Sequence, residues 1–356
     1  MKNQDFKEKI VNWYHLNKRD LPWRDTDNPY FIWLSEIILQ QTRVDQGLDY
    51  YNKFIFRYPE IKLLAEANEE EILKLWQGLG YYSRARNLHF ASKQIINEFN
   101  GEFPDKYEDI LKLKGIGPYS AAAIASIAFN LPYPVIDGNV LRVISRIFGV
   151  KNAVDSSEGR DEIYKILNII IDKNNPGTFN QAIMELGALV CKPQNPLCTE
   201  CVFLNECFAY NNKSIDILPI KSKVVKQRNR FFYYLFIKNN KDNFTFVYLN
   251  KRKEKDIWKN LYDFPLIETE LELSFTDNDV FKAIGKYLGT NDFTLNSISK
   301  QYKHKLSHQT INAYFIEIDL NSSEDNKALE NYLYINIYDI YNYPIPKLIE
   351  NYLNDR

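Results

Sequence analysis

No apolar run in the chain is long enough to span a membrane, and its start, MKNQDFKEKI, carries no apolar signal region. Neither a membrane-spanning nor a secreted protein is therefore expected. An excess of positive charge is also missing: 45 Lys and Arg stand against 46 Asp and Glu, a formal net charge of −1. That balance argues neither for nor against a nucleic-acid partner. It does exclude binding through a global positive field, so any such contact has to come from local donors and helix termini. There is no internal repeat and no low-complexity block. Cysteine is scarce, with 4 in 356 residues, and disulfide bridges would require a secreted protein. The expected compartment is the reducing cytosol.

The cysteines that are present all fall in one stretch. Cys191, Cys198, Cys201 and Cys207 have six, two and five residues between them. Soft sulfur ligands select iron–sulfur or zinc, and the uneven spacing lets an irregular loop wrap a cubane, so a [4Fe-4S] cluster is the expected cofactor. Zinc is the alternative. A structural zinc site more often shows two Cys-x-x-Cys pairs, and Cys198 with Cys201 makes only one.

Length favours two domains, and the sequence changes character near residue 214. Before it, FIWLSEIILQ, EEEILKLWQGLG and YSAAAIASIAF repeat apolar residues with helical period between short Gly, Pro and Asn breaks. After it come the strand-like runs RFFYYLFIK, FTFVYLN and INAYFIEIDL, with helical patterns near residues 277–288 and 339–354. The expected organisation is an all-α domain over 1–213, a linker over 214–228 with one proline and a basic run, and an α+β domain over 229–356.

Residues 111–129, LKLKGIGPYSAAAIASIAF, read as a helix, a tight turn and a second helix. Gly115 and Gly117 permit positive φ in the turn, and Pro118 sits where a helix can begin without losing a needed N–H. The turn's amides and the helix N-terminus then form an anion site suited to a DNA phosphate. Asp137 follows about twenty residues on, in the loop LPYPVIDGNV, and the four-cysteine loop about fifty residues beyond that.

With these features the sequence resembles the helix-hairpin-helix DNA glycosylase superfamily, and within it the adenine DNA glycosylases. Leu21-Pro22-Trp23-Arg24, Trp33 to Thr42, Gly78-Leu79-Gly80-Tyr81-Tyr82-Ser83-Arg84 and Glu185-Leu186-Gly187-Ala188 carry the match over residues 5–210. In the second domain it rests on Leu261 to Pro265 and Leu306-Ser307-His308, similar to a Nudix-like domain that checks for 8-oxoguanine. The metal-binding Arg-Glu-x-x-Glu-Glu pattern of a catalytic Nudix hydrolase is missing, so binding without hydrolysis is expected. The implied fold is thus an all-α helix-hairpin-helix glycosylase domain followed by a Nudix-like α+β domain.

The resemblance implies a monofunctional enzyme of base excision repair that removes adenine mispaired with 8-oxoguanine or guanine. It would act as a monomer on double-stranded DNA, away from any membrane and associated with the nucleoid. Cleaving an N-glycosidic bond needs an acid for the leaving base and a carboxylate for the cationic sugar. Glu36, flanked by Trp33, Leu34, Ile37 and Ile38, is the expected acid, because burial raises a carboxyl's pKa. Asp137 is the expected sugar stabiliser, with Asn139 orienting it or holding water. Tyr119 stands where lyase relatives place a nucleophilic Lys, and a phenol forms no Schiff base; Lys114 precedes the hairpin and points elsewhere. Gln41 and Tyr81 match the residues that wedge into the duplex when the base leaves the stack. Trp23, Arg24 and Gln181 match the adenine pocket, while Arg84 and Arg86 are expected on a solvated face or against phosphate. Ser307 and His308 are the expected contacts to 8-oxoguanine, ahead of His304, with Leu306 replacing the family's Phe. A thymine or uracil mismatch glycosylase on the same fold is the alternative, disfavoured by the second domain. A lesion-binding protein without catalysis is the other, excluded if Glu36 and Asp137 converge.

Overall fold

A computed structural model describes residues 3–222, 227–241, 244–253, 256–275, 278–321 and 326–356. Residues 223–226 of the expected linker and residue 277 of the expected helix lie outside this set. Two compact units emerge: Met1–Glu66 with Asn87–Val224, and Ala67–Arg86 with Val225–Arg356. Residues 67–86, inside the expected first domain, thus group with the second.

The described α-helices before residue 214, in chain order, are α1 (Asn3–Asn17), α2 (Pro29–Leu39), α3 (Val44–Arg57), α4 (Ile61–Glu66), α5 (Glu69–Leu75), α6 (Ser83–Glu98), α7 (Tyr107–Lys112), α8 (Pro118–Phe129), α9 (Gly138–Phe148), α10 (Ser157–Ile170), α11 (Pro176–Leu189) and α12 (Phe208–Asn211). The described part of the first unit contains helices and no strand. Asn28 caps α2 by accepting from the Tyr30 N–H, and Pro29 fills its first turn. Ile32, Trp33, Leu34, Ile37 and Ile38 are all buried, so α2 runs through the interior instead of along the surface.

Asp137 caps α9, and Gly149 ends it in the left-handed region. Val140, Val143, Ile144 and Ile147 face a core shared with Phe6 and Ile10 of α1, Leu167 of α10 and Phe179, Ile183 and Leu186 of α11. Each such side chain contributes roughly 1.5–3 kcal/mol when fully buried. The approach of α11 to α9 depends on Gly187, where a Cβ would lie 2.6 Å from Cβ of Asn139. Helices α7 and α8 flank the hairpin, and α8 starts at Pro118 as expected. One detail differs: Gly115 has φ +82, but Gly117 is extended at φ −99 and caps α8 without needing a positive φ.

The second unit is built on an 8-stranded sheet with order β3-β2-β1-β7-β5, β4 pairing with β1, β6 with β7 and β8 with β2. The strands are β1 (Arg228–Lys241), β2 (Phe244–Lys251), β3 (Tyr262–Asp263), β4 (Leu266–Thr269), β5 (Phe293–Ile298), β6 (Tyr302–Lys305), β7 (Gln309–Leu320) and β8 (Leu333–Asn336). The central pair, β1 and β7, is parallel, with Tyr233 opposite Tyr314. Both faces of β1 are covered, which is why FFYYLFI, residues 231–237, carries no charge. Tyr233, Leu235 and Ile237 pack with Val280, Ile284 and Leu288 of α13 (Asp279–Leu288). On the other face Phe236 meets Phe264 and Tyr352, the latter on α14 (Lys347–Asn354). The helix expected over 339–354 is broken: a 3-10 helix spans Ile337–Asn342 and α14 starts only at Lys347. Pro344 and Pro346 lie in the gap, and each removes an N–H that a continuous helix would use. The expected order, all-α then α+β, is the order found.

Candidate active site

Glu36, Tyr119, Asp137 and Asn139 line one cavity of about 460 Å³ in the first unit, together with Trp23, Arg24, Gln41 and Gln181. Glu36 comes from the otherwise apolar α2, Tyr119 from the first turn of α8, and Asp137 from the cap of α9. Burial pushes the Glu36 carboxyl up to about 7, a hydrogen bond from the Tyr119 hydroxyl working against the rise and the charge of Asp137 adding to it. Tyr119 itself is driven well above its ordinary value, mainly by burial and by the two carboxylates.

Asp137 accepts at both oxygens, from the Val140 N–H at 2.7 Å and from Asn139 Nδ2 at 2.9 Å. Burial still holds its pKa above the ordinary value, against those hydrogen bonds and the Arg142 charge. Arg142 Nη2 donates to Asn139 Oδ1 at 2.8 Å, and its Nε donates to the Cys191 carbonyl at 2.7 Å. A guanidinium only donates, so the amide oxygen of Asn139 must face Arg142 and its NH₂ must face Asp137.

Trp23 is buried and meets Tyr51 edge-on at 5.0 Å, so it serves the core and the cavity wall at once. Tyr14 donates to Gln181 Oε1 at 2.5 Å, which leaves the amide's donor end available to the cavity. Arg24 is engaged with Glu185, pairing at 2.6 Å beside Arg19 at 2.6 Å. Burial alone would raise the Glu185 carboxyl, but hydrogen bonds from Arg19 and Arg24 hold it down to about 2. The ionised carboxylate fixes both guanidinium groups along the wall.

The four cysteines are free and line a second cavity with Arg146, Val190 and Leu204. Arg146 Nη1 donates to Cys191 Sγ at 3.5 Å and to the Lys192 carbonyl at 2.7 Å. Among the described residues no three His, Cys, Asp or Glu side chains gather as they would around a single ion. The thiols are distributed over the walls of the cavity instead.

In the second unit, Ser307 and His308 are exposed on the turn between β6 and β7, with Ser307 Oγ 3.4 Å from His308 Nδ1. His304 is set back against the Trp258 ring, and burial lowers its pKa. Tyr81 lies in a loop with φ +46. Arg84, expected on a solvated face or against phosphate, is 8% exposed. It donates to the Leu79 and Gly80 carbonyls at 3.3 and 3.2 Å and covers the Trp76 ring. Arg86 is also occupied, donating to the Lys259 carbonyl at 2.9 Å.

Residues 34–169 match the helix-hairpin-helix superfamily of base excision DNA repair proteins, and residues 233–355 match the NUDIX domain family. An adenine DNA glycosylase of Buchnera aphidicola from Schizaphis graminum is 35% identical over 322 residues, 89% of this chain and 88% of that protein. A second, from the Baizongia pistaciae strain, is 37% identical over 334 residues, 91% of this chain and 90% of that protein.

The chain belongs to the adenine DNA glycosylases.

The Homo sapiens adenine DNA glycosylase is 41% identical over 213 residues, 57% of this chain and 39% of that protein. Among solved structures, a thermostable thymine-DNA glycosylase is 28% identical with a TM-score of 0.55, covering 59% of this chain and 97% of its own. The helical domain is therefore common ground between enzymes for different bases, while the full-length likeness is to adenine DNA glycosylases. No described helix is long and apolar enough to cross a membrane.

Glu185 and Arg142 were given no role by the sequence reading. Each is a lone charge among apolar helical neighbours, in MELGAL and VLRVIS. Such a charge, once buried, must find a partner.

Proposed function

We propose that this adenine DNA glycosylase removes adenine opposite 8-oxoguanine or guanine, with Glu36 as general acid and Asp137 as the carboxylate that stabilises the cationic sugar. The observation that carries the reading is the convergence of these two carboxyls in one cavity, with Glu36 at about 7. A cavity of about 460 Å³ is of the size that encloses a small ligand. An adenine extruded from the stack meets Trp23 and Gln181 on its walls. Glu36, half protonated near neutrality, gives its proton to the leaving base and afterwards takes one from water. Asp137, ionised and held by Asn139 and the α9 N-terminus, lies where positive charge develops on the sugar. With a phenol at Tyr119 there is no amine to form a Schiff base, so water completes the reaction and the product is an intact abasic site.

Gln41 and Tyr81 are the wedge residues in this reading, and Gly115 and Gly117 hold a DNA phosphate at the α8 N-terminus. Ser307 and His308 read 8-oxoguanine from their exposed turn. The four cysteines line one cavity and would hold a [4Fe-4S] cluster through soft thiolate ligands, which would anchor the 191–207 loop. The protein acts as a cytoplasmic, nucleoid-associated monomer on mispaired duplex DNA. The test is base release from duplexes holding A opposite 8-oxoguanine, A opposite guanine, T opposite guanine and U opposite guanine. Release of adenine from the first two supports the reading, and release of thymine or uracil alone overturns it.

A further inference from the structure

The loop that carries Tyr81 is bound to the β-sheet domain. Gly78, Gly80 and Tyr81 all have positive φ, at 100°, 73° and 46°, and Tyr81 is there without the freedom of a glycine. Such a loop keeps its shape only if its surroundings impose it. Part of the frame is local: Arg84 donates to the Leu79 and Gly80 carbonyls, and Trp76 Nε1 donates to Gly80 at 3.0 Å.

The rest comes from residues some 170 to 270 positions later in the chain. On α5, Glu70 pairs with Lys251 and accepts from the Tyr262 hydroxyl at 2.7 Å, while Glu69 accepts from Asn260 Nδ2 at 2.5 Å. Before the loop, Lys74 donates to the Tyr343 carbonyl at 3.1 Å. After it, Arg86 donates to the Lys259 carbonyl at 2.9 Å. Lys251, Lys259, Asn260 and Tyr262 come from β2, β3 and the connection between them, so one corner of the sheet grips both flanks of the loop.

We propose that this corner holds the Gly78–Tyr82 loop in the form that enters the duplex, with Glu70 and Lys251 as positioning residues acting through Tyr81. The second domain then has a part in extruding adenine, apart from any contact with the opposite base. The inference rests on the reading of Tyr81 as the wedge.

Stopped-flow fluorescence of 2-aminopurine placed beside the target adenine reports unstacking as the full-length enzyme engages a duplex with A opposite guanine. Glu70→Lys should slow the rise about tenfold, the size expected for losing one coupled ion pair. Glu70→Lys combined with Lys251→Glu should bring it back. Binding to a duplex that already carries an abasic site should stay within about twofold of wild type, because no base is left to extrude. An unchanged rise in Glu70→Lys, no recovery in the reversed pair, or an equal loss of abasic-site binding overturns the proposal. Tyr81→Ala separates it from its premise. If that variant unstacks adenine at the wild-type rate, the wedge reading fails; if it slows while Glu70→Lys does not, the bracing alone fails.

Discussion

Asn139 holds Asp137 from two residues away, with its Nδ2 2.9 Å from Asp137 Oδ2. The amide is kept in that orientation by Arg142, which also donates to the Cys191 carbonyl. A carboxylate in a cavity stays charged only while it is hydrogen-bonded. Asn139→Ala removes the side-chain donor and leaves the backbone N–H groups of Val140 and of residue 139 itself. The pKa of Asp137, already above its ordinary value through burial, should climb further. The acid limb of the pH–rate profile for adenine release should then move up by about one pH unit, so that on that limb the rate at a given pH falls by up to about tenfold. A profile displaced downward, or one that is unmoved, would exclude this role for Asn139.

Glu36→Gln should leave duplex binding near normal and reduce adenine release by about 10²–10⁴ or more, since an amide donates no usable proton. In the wild type, activity should decline as pH rises past about 7, where Glu36 loses its proton. The same residue makes a stability prediction. Its folded pKa of about 7 lies above the ordinary 4.5, so the folded state is favoured by protonation and loses stability as pH rises through that interval. Above it, a buried charge costs the fold on the order of 3 kcal/mol. Glu36→Gln should consequently be more stable than wild type at pH 8 and no more stable at pH 4, as read by denaturant unfolding at both.

How much of this was legible in the sequence depends on the range of the interaction. Pro118 as a helix start, Asp137 in a turn and the apolar setting of Glu36 are local patterns, and local patterns survive in a string of letters; that the turn at Asp137 caps a helix was not read from it. The gathering of Glu36, Tyr119 and Asp137 was legible only through the resemblance, since about a hundred residues separate the first from the last. The partners of Arg84, Arg142 and Glu185 were not legible. A charged residue in a helix reads as a solvated face until packing shows it enclosed. The grouping of residues 67–86 with the sheet domain was hidden for the same reason, because Glu69 and Glu70 look like ordinary first-turn carboxylates and meet Asn260 and Lys251 only in three dimensions.

Replacing one thiol tests the cofactor. Cys198→Ser should remove the broad visible absorbance of a [4Fe-4S] centre and weaken folding or DNA binding, since the 191–207 loop would lose one of its four anchors. The wild-type protein should carry about four iron atoms by metal analysis. A preparation that is folded and active with one zinc and no iron would sink the assignment.

Opposite-base recognition belongs in this account to Ser307 and His308, exposed on the β6–β7 turn. Losing one or two hydrogen bonds to a base edge is worth about 1–3 kcal/mol of discrimination. Ser307→Ala combined with His308→Ala should therefore lower the preference for 8-oxoguanine over guanine by roughly tenfold to a hundredfold. Adenine opposite guanine should be released at the wild-type rate, because nothing in the Glu36 cavity has changed. Removing the whole second domain is a less selective test, since it also strips Lys251, Asn260 and Tyr262 from Glu69 and Glu70 and the Lys259 carbonyl from Arg86 and so releases both flanks of the Tyr81 loop. The truncated enzyme should lose rate on both mispairs, and the double alanine variant on one. If the double variant keeps its preference while the truncated enzyme slows on both, the second domain braces the wedge and reads nothing.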